Sequence, residues 1–201
     1  MFEKGDIEDA FIKILMKLNA LKIGTFKLSS GILSPYYIDI NLVLSDPSSF
    51  SKIIEILIEL IKRNKKLLEQ KYLCGIPLAG LTFASVCAYK LNKPLIYIKK
   101  KERHDRERII EGILKAGSSV LLIDDFSSTG NTLISTTEII RSEGGIVTDA
   151  LVLIDREESA KRNLEKINVN LHSLTTSKKV IKEFYKSGLI TIDEYKGISY
   201  E

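Results

Sequence analysis

Two adjacent carboxylates, Asp124 and Asp125, stand where a run of four apolar residues, Val120–Ile123, gives way to Phe126-Ser127-Ser128-Thr129-Gly130-Asn131-Thr132. Such a loop offers backbone N–H groups, hydroxyl donors and the positive end of the dipole of the helix it opens. Together these cradle a phosphate. Like charges keep the carboxylates off the phosphate itself. They suit a sugar's hydroxyls, or the water around a Mg²⁺ beside the phosphate. The Gly-Lys-Ser/Thr ending of a Walker loop is absent. A helix cap alone would need one hydroxyl and one acid rather than the whole array.

The second chemical signal is charge. The chain has 201 residues, with 30 Lys and Arg against 26 Asp and Glu, a net +4. Two short stretches hold all of that surplus. One contains Lys99, Lys100, Lys101, Arg103, Arg106 and Arg108 against Glu102, Asp105 and Glu107; the other contains Lys62, Arg63, Lys65, Lys66 and Lys71 against Glu69. The remainder is net acidic. A nucleic-acid binder spreads its basic residues along one face, so an anionic small molecule is the better match and no nucleic-acid partner is expected. The stretch 62–71 reads as the solvated end of a helix, with cations favoured by the dipole.

These residues need a scaffold, and the pattern supplies one. Ile7, Ala10, Phe11, Ile14, Leu15 and Leu18 follow helical spacing over 6–21. Residues 26–40 predict two short strands joined through Ser29-Ser30-Gly31. Ser45-Asp46-Pro47 starts a helix that runs to about Asn64, with Ile53, Ile54, Leu57, Ile58 and Ile61 inward. Strands at 72–75, 95–99, 120–123, 146–154 and 169–174 then alternate with helices at 78–91, 129–143 and 157–168, and two short helices follow to 195. Alternation with continuously apolar strands predicts an α/β fold: a mainly parallel, twisted sheet with helices on both faces. The chain reads as one domain, with an N-terminal helix–hairpin hood at 1–45, a core at 46–175 and a helical segment at 176–201. Ligands in such sheets bind at the carboxyl ends of strands, which selects the loops 76–81, 100–112 and 124–132.

Composition excludes other classes. Hydrophobic residues at 44% and charged residues at 28% describe a folded globular chain, not a disordered one. The richest apolar segment, Ile53–Ile61, is broken by Glu55 and Glu59 and is far short of the roughly 20 residues that span a bilayer. The N-terminus lacks a secretory pattern, and two cysteines, Cys74 and Cys87, are too few for a disulfide framework. A cytoplasmic setting with no membrane partner is expected. Cys87 and His172 read as structural.

The run Val120–Thr132 resembles the signature of the type I phosphoribosyltransferases, whose acids contact the ribose hydroxyls of phosphoribosyl diphosphate (PRPP) and whose loop binds its 5′-phosphate. Three further segments resemble the orotate-using members. Phe26–Asp39 is similar to their N-terminal hairpin. Lys100-Lys101-Glu102 with Ile109-Ile110-Glu111-Gly112 is similar to the two ends of their catalytic loop. Asp155-Arg156 is similar to the Asp-Arg whose arginine meets the orotate carboxylate. The likeness runs over roughly residues 6–175.

It implies Mg²⁺ as cofactor, held by PRPP and water near Asp124 and Asp125, and PRPP and orotate as substrates of UMP biosynthesis. The catalytic set it implies is Lys100, Lys101, Arg103, His104, Asp124 and Asp125. The implied substrate contacts are Ser29, Tyr37, Ile38, Leu78, Ala79, Phe126, Ser127, Ser128, Thr129, Gly130, Asn131, Thr132 and Arg156. It also implies a homodimer in which lid residues 100–111 reach the neighbouring site.

Four positions depart from the pattern. Ser29-Ser30-Gly31 stands where bacterial members usually have Lys-Ser-Gly. The lid is about two residues shorter, with Arg103-His104 near its usual lysine; Leu78-Ala79 replaces a usual Tyr-Lys; and Asn131 takes a usual hydroxyl or small position. Two other functions fit the same fold: transfer to another base, against which Arg156 speaks, and a PRPP-sensing regulator that binds nucleic acid.

Overall fold

The computed structural model describes residues 4–27, 31, 33–99 and 109–199. The chain divides into two compact units, Met1–Ile56 with Thr175–Glu201, and Leu57–Leu174.

The first unit opens with helix α1 (Lys4–Lys17), followed by strands β1 (Leu21–Lys27) and β2 (Leu33–Ile38), which pair antiparallel. On α1 the apolar stripe buries Ile7, Phe11, Ile12, Ile14 and Leu15. The first strand starts at Leu21 rather than Phe26, because Asn19 takes a left-handed conformation (φ +47°) and turns the chain straight from helix into sheet. A 3-10 turn, Ile40–Ser45, is capped by the Asp39 carboxylate, which accepts from Asn41 N–H at 3.2 Å.

Helix α2 (Pro47–Arg63) begins at the expected Asp46-Pro47 signal. The Asp46 carboxylate accepts from Ser48 and Ser49 hydroxyls and from Lys17 Nζ, which hold it below the usual carboxylate range. Its buried stripe is Ile53, Ile54, Ile56, Leu57 and Ile61; Ile58, expected inward, is only half-buried, and Ile56 is inside instead. A short helix, α3 (Lys65–Leu68), follows.

The second unit contains the sheet. Its strands are β3 (Tyr72–Gly75), β4 (Leu95–Ile98), β5 (Ile110–Glu111), β6 (Ser119–Ser127), β7 (Ile146–Asp155) and β8 (Asn170–Thr176), in the order β5-β4-β3-β6-β7-β8. The pairs β3/β4, β3/β6 and β6/β7 are parallel, and β5 is an antiparallel edge on β4. Helices α4 (Ala79–Leu91), α5 (Asn131–Ser142) and α6 (Ala160–Glu165) connect the strands. Helix α6 covers only the middle of the expected 157–168, since residues 155–159 form a turn.

Val120, Leu122, Cys74, Ile96, Leu133, Ile140, Val152 and Leu164 pack into one core. Burial pushes the Cys74 and Cys87 thiols up to about 12, so both are inert apolar fillers near neutral pH. Helices α7 (Ser177–Lys186) and α8 (Ile192–Ser199) return to the first unit, where Lys179 Nζ and Thr175 Oγ1 both donate to Glu8, each at 2.7 Å.

Successive strands run outward in two directions from the β3/β6 pair, β4 on one side and β7 on the other. That reversal opens a crevice at the carboxyl ends of β3 and β6. At the opposite end of the sheet, Asp149 is buried, and His172 Nε2 lies 2.7 Å from its Oδ1 while Thr148 Oγ1 donates to its Oδ2 at 2.8 Å. Removing the imidazole leaves a buried carboxylate short of a partner. His172→Leu is therefore expected to cost about 2 kcal/mol, the value of a hydrogen bond to a charged group, read as a lower urea midpoint. Turnover of the folded variant should not change, because the pair sits at the far end of β7 from the crevice.

Candidate active site

Strand β6 does not stop at Ile123. It continues through Asp124, Asp125 and Phe126 to Ser127, paired with β7 as far as Ser127↔Asp155. The two acids are therefore held by a ladder rather than by a loop. Each carboxylate also accepts the N–H of the next residue: Asp125 N–H donates to Asp124 Oδ1 and Phe126 N–H to Asp125 Oδ1, both at 2.9 Å. Asp124 is buried and Asp125 half-buried. Burial, and then the neighbouring charge of Asp125, push the Asp124 carboxyl well above the usual carboxylate range.

After Ser127 the chain turns through Ser128 and Thr129 to Gly130, whose φ of +79° suits glycine, and α5 begins at Asn131. A Cβ at Gly130 would also sit 3.2 Å from Ala160 Cα. No side chain caps α5, so its first N–H groups point into the loop without a protein carboxylate or hydroxyl at the cap. Carbonyls on the outer side are secured: Ser128 O accepts from Ser159 and Ala160 N–H at 3.2 and 3.0 Å, and Thr129 O accepts from Asn163 Nδ2 at 3.1 Å. With its carbonyls tied back, the loop is built to present donors. Ser127 Oγ is buried with no hydrogen-bond partner among the described residues.

The neighbouring loop has the same form. After β3, Ile76 N–H donates to Ile123 O at 2.9 Å, the Pro77–Leu78 peptide is cis, and α4 starts at Ala79 with no side-chain cap. Leu78 is 86% exposed. Gly80, in the first turn of α4, lies directly on the end of β6: a Cβ there would be 2.6 Å from Ile123 O, 2.7 Å from Asp124 Cα and 2.8 Å from Asp124 Oδ1. The residue order gives no sign of this contact, since a lone glycine in a strand-to-helix turn signals nothing by itself. Two uncapped helix N-termini thus flank one carboxylate pair.

Past β4, Lys99 N–H donates to Ile109 O at 2.9 Å, and Tyr97↔Glu111 and Ile98↔Ile110 pair antiparallel. Lys99 and Ile109 therefore meet directly at the sheet edge. Gly112, with φ +90° and Leu95 O only 2.9 Å from where a Cβ would be, allows the return. Lys100, Lys101, Arg103 and His104 lie outside the described residues, as does Ser29.

At the end of β7, Arg156 N–H donates to Ser127 O at 2.8 Å, and the Arg156 guanidinium pairs with Glu158. Asp155 beside it is half-buried, and burial raises its carboxyl above the usual range. The structure thus gathers Leu78, Ala79, Asp124, Asp125, Phe126, Ser127, Ser128, Thr129, Gly130, Asn131, Thr132 and Arg156 onto the carboxyl ends of three consecutive strands of one unit. Tyr37 and Ile38 belong to β2 of the other unit, with the Tyr37 ring 5.7 Å from that of Phe26.

Comparison with known proteins agrees with this geometry. The phosphoribosyl transferase domain family matches residues 42–185. The orotate phosphoribosyltransferase of Sulfolobus acidocaldarius is 35% identical over 190 residues, 94% of each chain. The crystal structure of orotate phosphoribosyltransferase from Aeropyrum pernix is similar with a TM-score of 0.75 at 32% identity, covering 90% of this chain and 99% of that one. The structure of Leishmania donovani UMP synthase is similar with a TM-score of 0.83 at 30% identity, covering 97% of this chain and 42% of that one.

Proposed function

The chain belongs to the orotate phosphoribosyltransferases within the phosphoribosyl transferase domain family, and from that membership we propose how its residues divide the reaction among them. A ring nitrogen of orotate attacks the anomeric carbon of PRPP, diphosphate departs, and orotidine 5′-monophosphate forms for UMP biosynthesis. The observation that carries the assignment of roles is the Asp124–Asp125 pair between the two uncapped helix N-termini of α4 and α5.

The α5 loop, 129–132, holds the 5′-phosphate through backbone N–H groups and hydroxyls, while Ser128 before it serves orotate. The 76–80 loop holds the diphosphate through backbone N–H groups, which explains why Leu78 and Ala79 can replace side chains with donors of their own. Asp124 and Asp125 hold the ribose hydroxyls and face a sugar that turns cationic as the leaving group departs, the charge arrangement that lowers such a barrier. Arg156 meets the carboxylate of orotate as a charge-assisted pair.

Mg²⁺ fits this donor set: the acids are hard oxygen ligands, and one or two carboxylates plus substrate phosphates are its usual environment. Among the described residues no cluster of three or more His, Cys, Asp or Glu could hold a metal alone, and the ion would be held by PRPP and water near Asp124 and Asp125. When bound, the ion neutralises charge on the diphosphate. Lys100, Lys101, Arg103 and His104 act over the same group as a lid that keeps water from the cationic sugar. We assign the working form as a cytoplasmic homodimer whose lids, 100–111, serve the neighbouring sites. Among the described residues no helix is long and apolar enough to cross a membrane.

The deciding assay mixes the protein with Mg²⁺, PRPP and one of orotate, adenine, hypoxanthine or uracil, and follows consumption of the base. Orotate alone should be consumed, and chelation of Mg²⁺ should stop it. Failure with every base sinks the enzyme reading, and turnover of a purine alone sinks the orotate assignment.

A further inference from the structure

Arg156 does not wait for its substrate in solvent. Its side chain is only 9% exposed, and Nε donates to Glu158 Oε1 at 2.9 Å, with the Glu158 side chain 32% exposed. The backbone that joins the two is fixed at several points. Arg156 N–H is bonded to Ser127 O, Glu157 N–H donates to Asp155 Oδ1 at 2.9 Å with Glu157 left-handed (φ +58°), and Ser159 and Ala160 N–H are bonded to Ser128 O. The turn 155–160 is therefore anchored to the same strand end that supplies the phosphate loop, and the ion pair rides on a rigid base.

We propose that Glu158 is a positioning residue for orotate recognition: by holding the Nε side of the Arg156 guanidinium, it fixes the orientation in which that group meets the substrate carboxylate. The inference rests on the orotate reading above. A guanidinium recognises a carboxylate through a planar fork of N–H groups, so its orientation decides the strength of the pair. An arginine held in place before the substrate arrives loses little rotamer freedom on binding, whereas a released one must lose it then. Nothing in this role touches PRPP. Glu158 therefore governs the affinity for orotate and leaves the sugar-phosphate half of the site alone.

The test is steady-state kinetics on the full-length protein and on Glu158→Ala, Glu158→Gln, Glu158→Asp, Arg156→Ala and the double variant Arg156→Ala/Glu158→Ala, with orotate and PRPP varied separately. Glu158→Ala should raise KM for orotate by about tenfold, the scale expected for loss of preorganisation, with kcat and KM for PRPP nearly unchanged. Glu158→Asp should restore part of the loss. Adding Glu158→Ala to Arg156→Ala should cost nothing further, since the residue acts through Arg156. An unchanged KM for orotate in both Glu158→Ala and Glu158→Gln overturns the proposal, as does a loss shared equally by PRPP or one that adds fully to Arg156→Ala. If the parent protein consumes no orotate at all, the functional reading itself fails, an outcome distinct from all of these.

Discussion

Asp124→Asn is expected to make the protein more stable and nearly inactive. The Asp124 carboxyl is held well above the usual carboxylate range, first by burial and then by the charge of Asp125. A carboxyl raised in the folded state binds a proton there that the unfolded chain, near pH 4, has already released. Its stabilising contribution is complete below that unfolded value and disappears as pH rises through the raised folded value. Rising pH therefore presses the metal-free fold toward a buried, like-charge pair that it would be better without. Asparagine keeps the shape and removes the charge, so the variant should gain about 1 kcal/mol at neutral pH, the usual scale for relieving a functional site. The advantage should grow as pH rises above about 4. Turnover should fall about a hundredfold, the equivalent of losing a charge-assisted hydrogen bond of up to about 3 kcal/mol in the transition state. Urea denaturation at two pH values, beside a PRPP-dependent assay, measures both halves. A variant less stable than the parent at neutral pH contradicts the account of Asp124.

Gly80→Ala should have the opposite signature, losing stability and activity together. The added methyl would lie 2.6 Å from Ile123 O and 2.7 Å from Asp124 Cα, both backbone atoms that cannot swing away. Either α4 lifts from β6 or the strand end bends, and each displaces the acids from the neighbouring N-terminus. Overpacking of this kind costs about 3 kcal/mol, and a shift of about 1 Å at a reacting group costs about a hundredfold in rate. Gly197→Ala is the matched control, because a Cβ there meets nothing within 4 Å and the position lies within α8. That change should be neutral or stabilising by up to about 1 kcal/mol. Equal thermal stability of the two variants would remove the contact argument.

Much of this was legible from residue order alone. Continuous apolar runs announced buried parallel strands, and two acids followed by hydroxyls and glycine announced the loop after β6. Those signals are local, set by interactions that reach over a few residues. What escaped depends on tertiary partners. Asp124–Ser127 read as loop because three of the four are polar, yet pairing with β7 draws them into the strand. The left-handed turn at Asn19 moved the start of β1, and the anchored turn 155–159 shortened α6. The approach of Gly80 to Asp124 joins residues far apart in the chain, so no spacing could announce it. The Arg156–Glu158 pair, two residues apart on an irregular turn, likewise follows neither helical nor strand periodicity.

The sheet order separates two jobs in a way that bears on how such enzymes diversify. In the proposed assignment the sugar and its phosphates fall to β3 and β6, whose ends are locked to each other through Gly80 and the Ile76–Ile123 hydrogen bond. The residue assigned to the base comes from the next strand outward, on the 155–160 turn. A lineage could exchange the side chains at 156–158 for ones suited to a different acceptor, keeping the Ser159 and Ala160 ties to Ser128 O and with them the apparatus that makes the ribose reactive. Side-chain changes at Arg156, Glu157 and Glu158 should therefore alter which acceptor is chosen far more readily than whether PRPP is used at all.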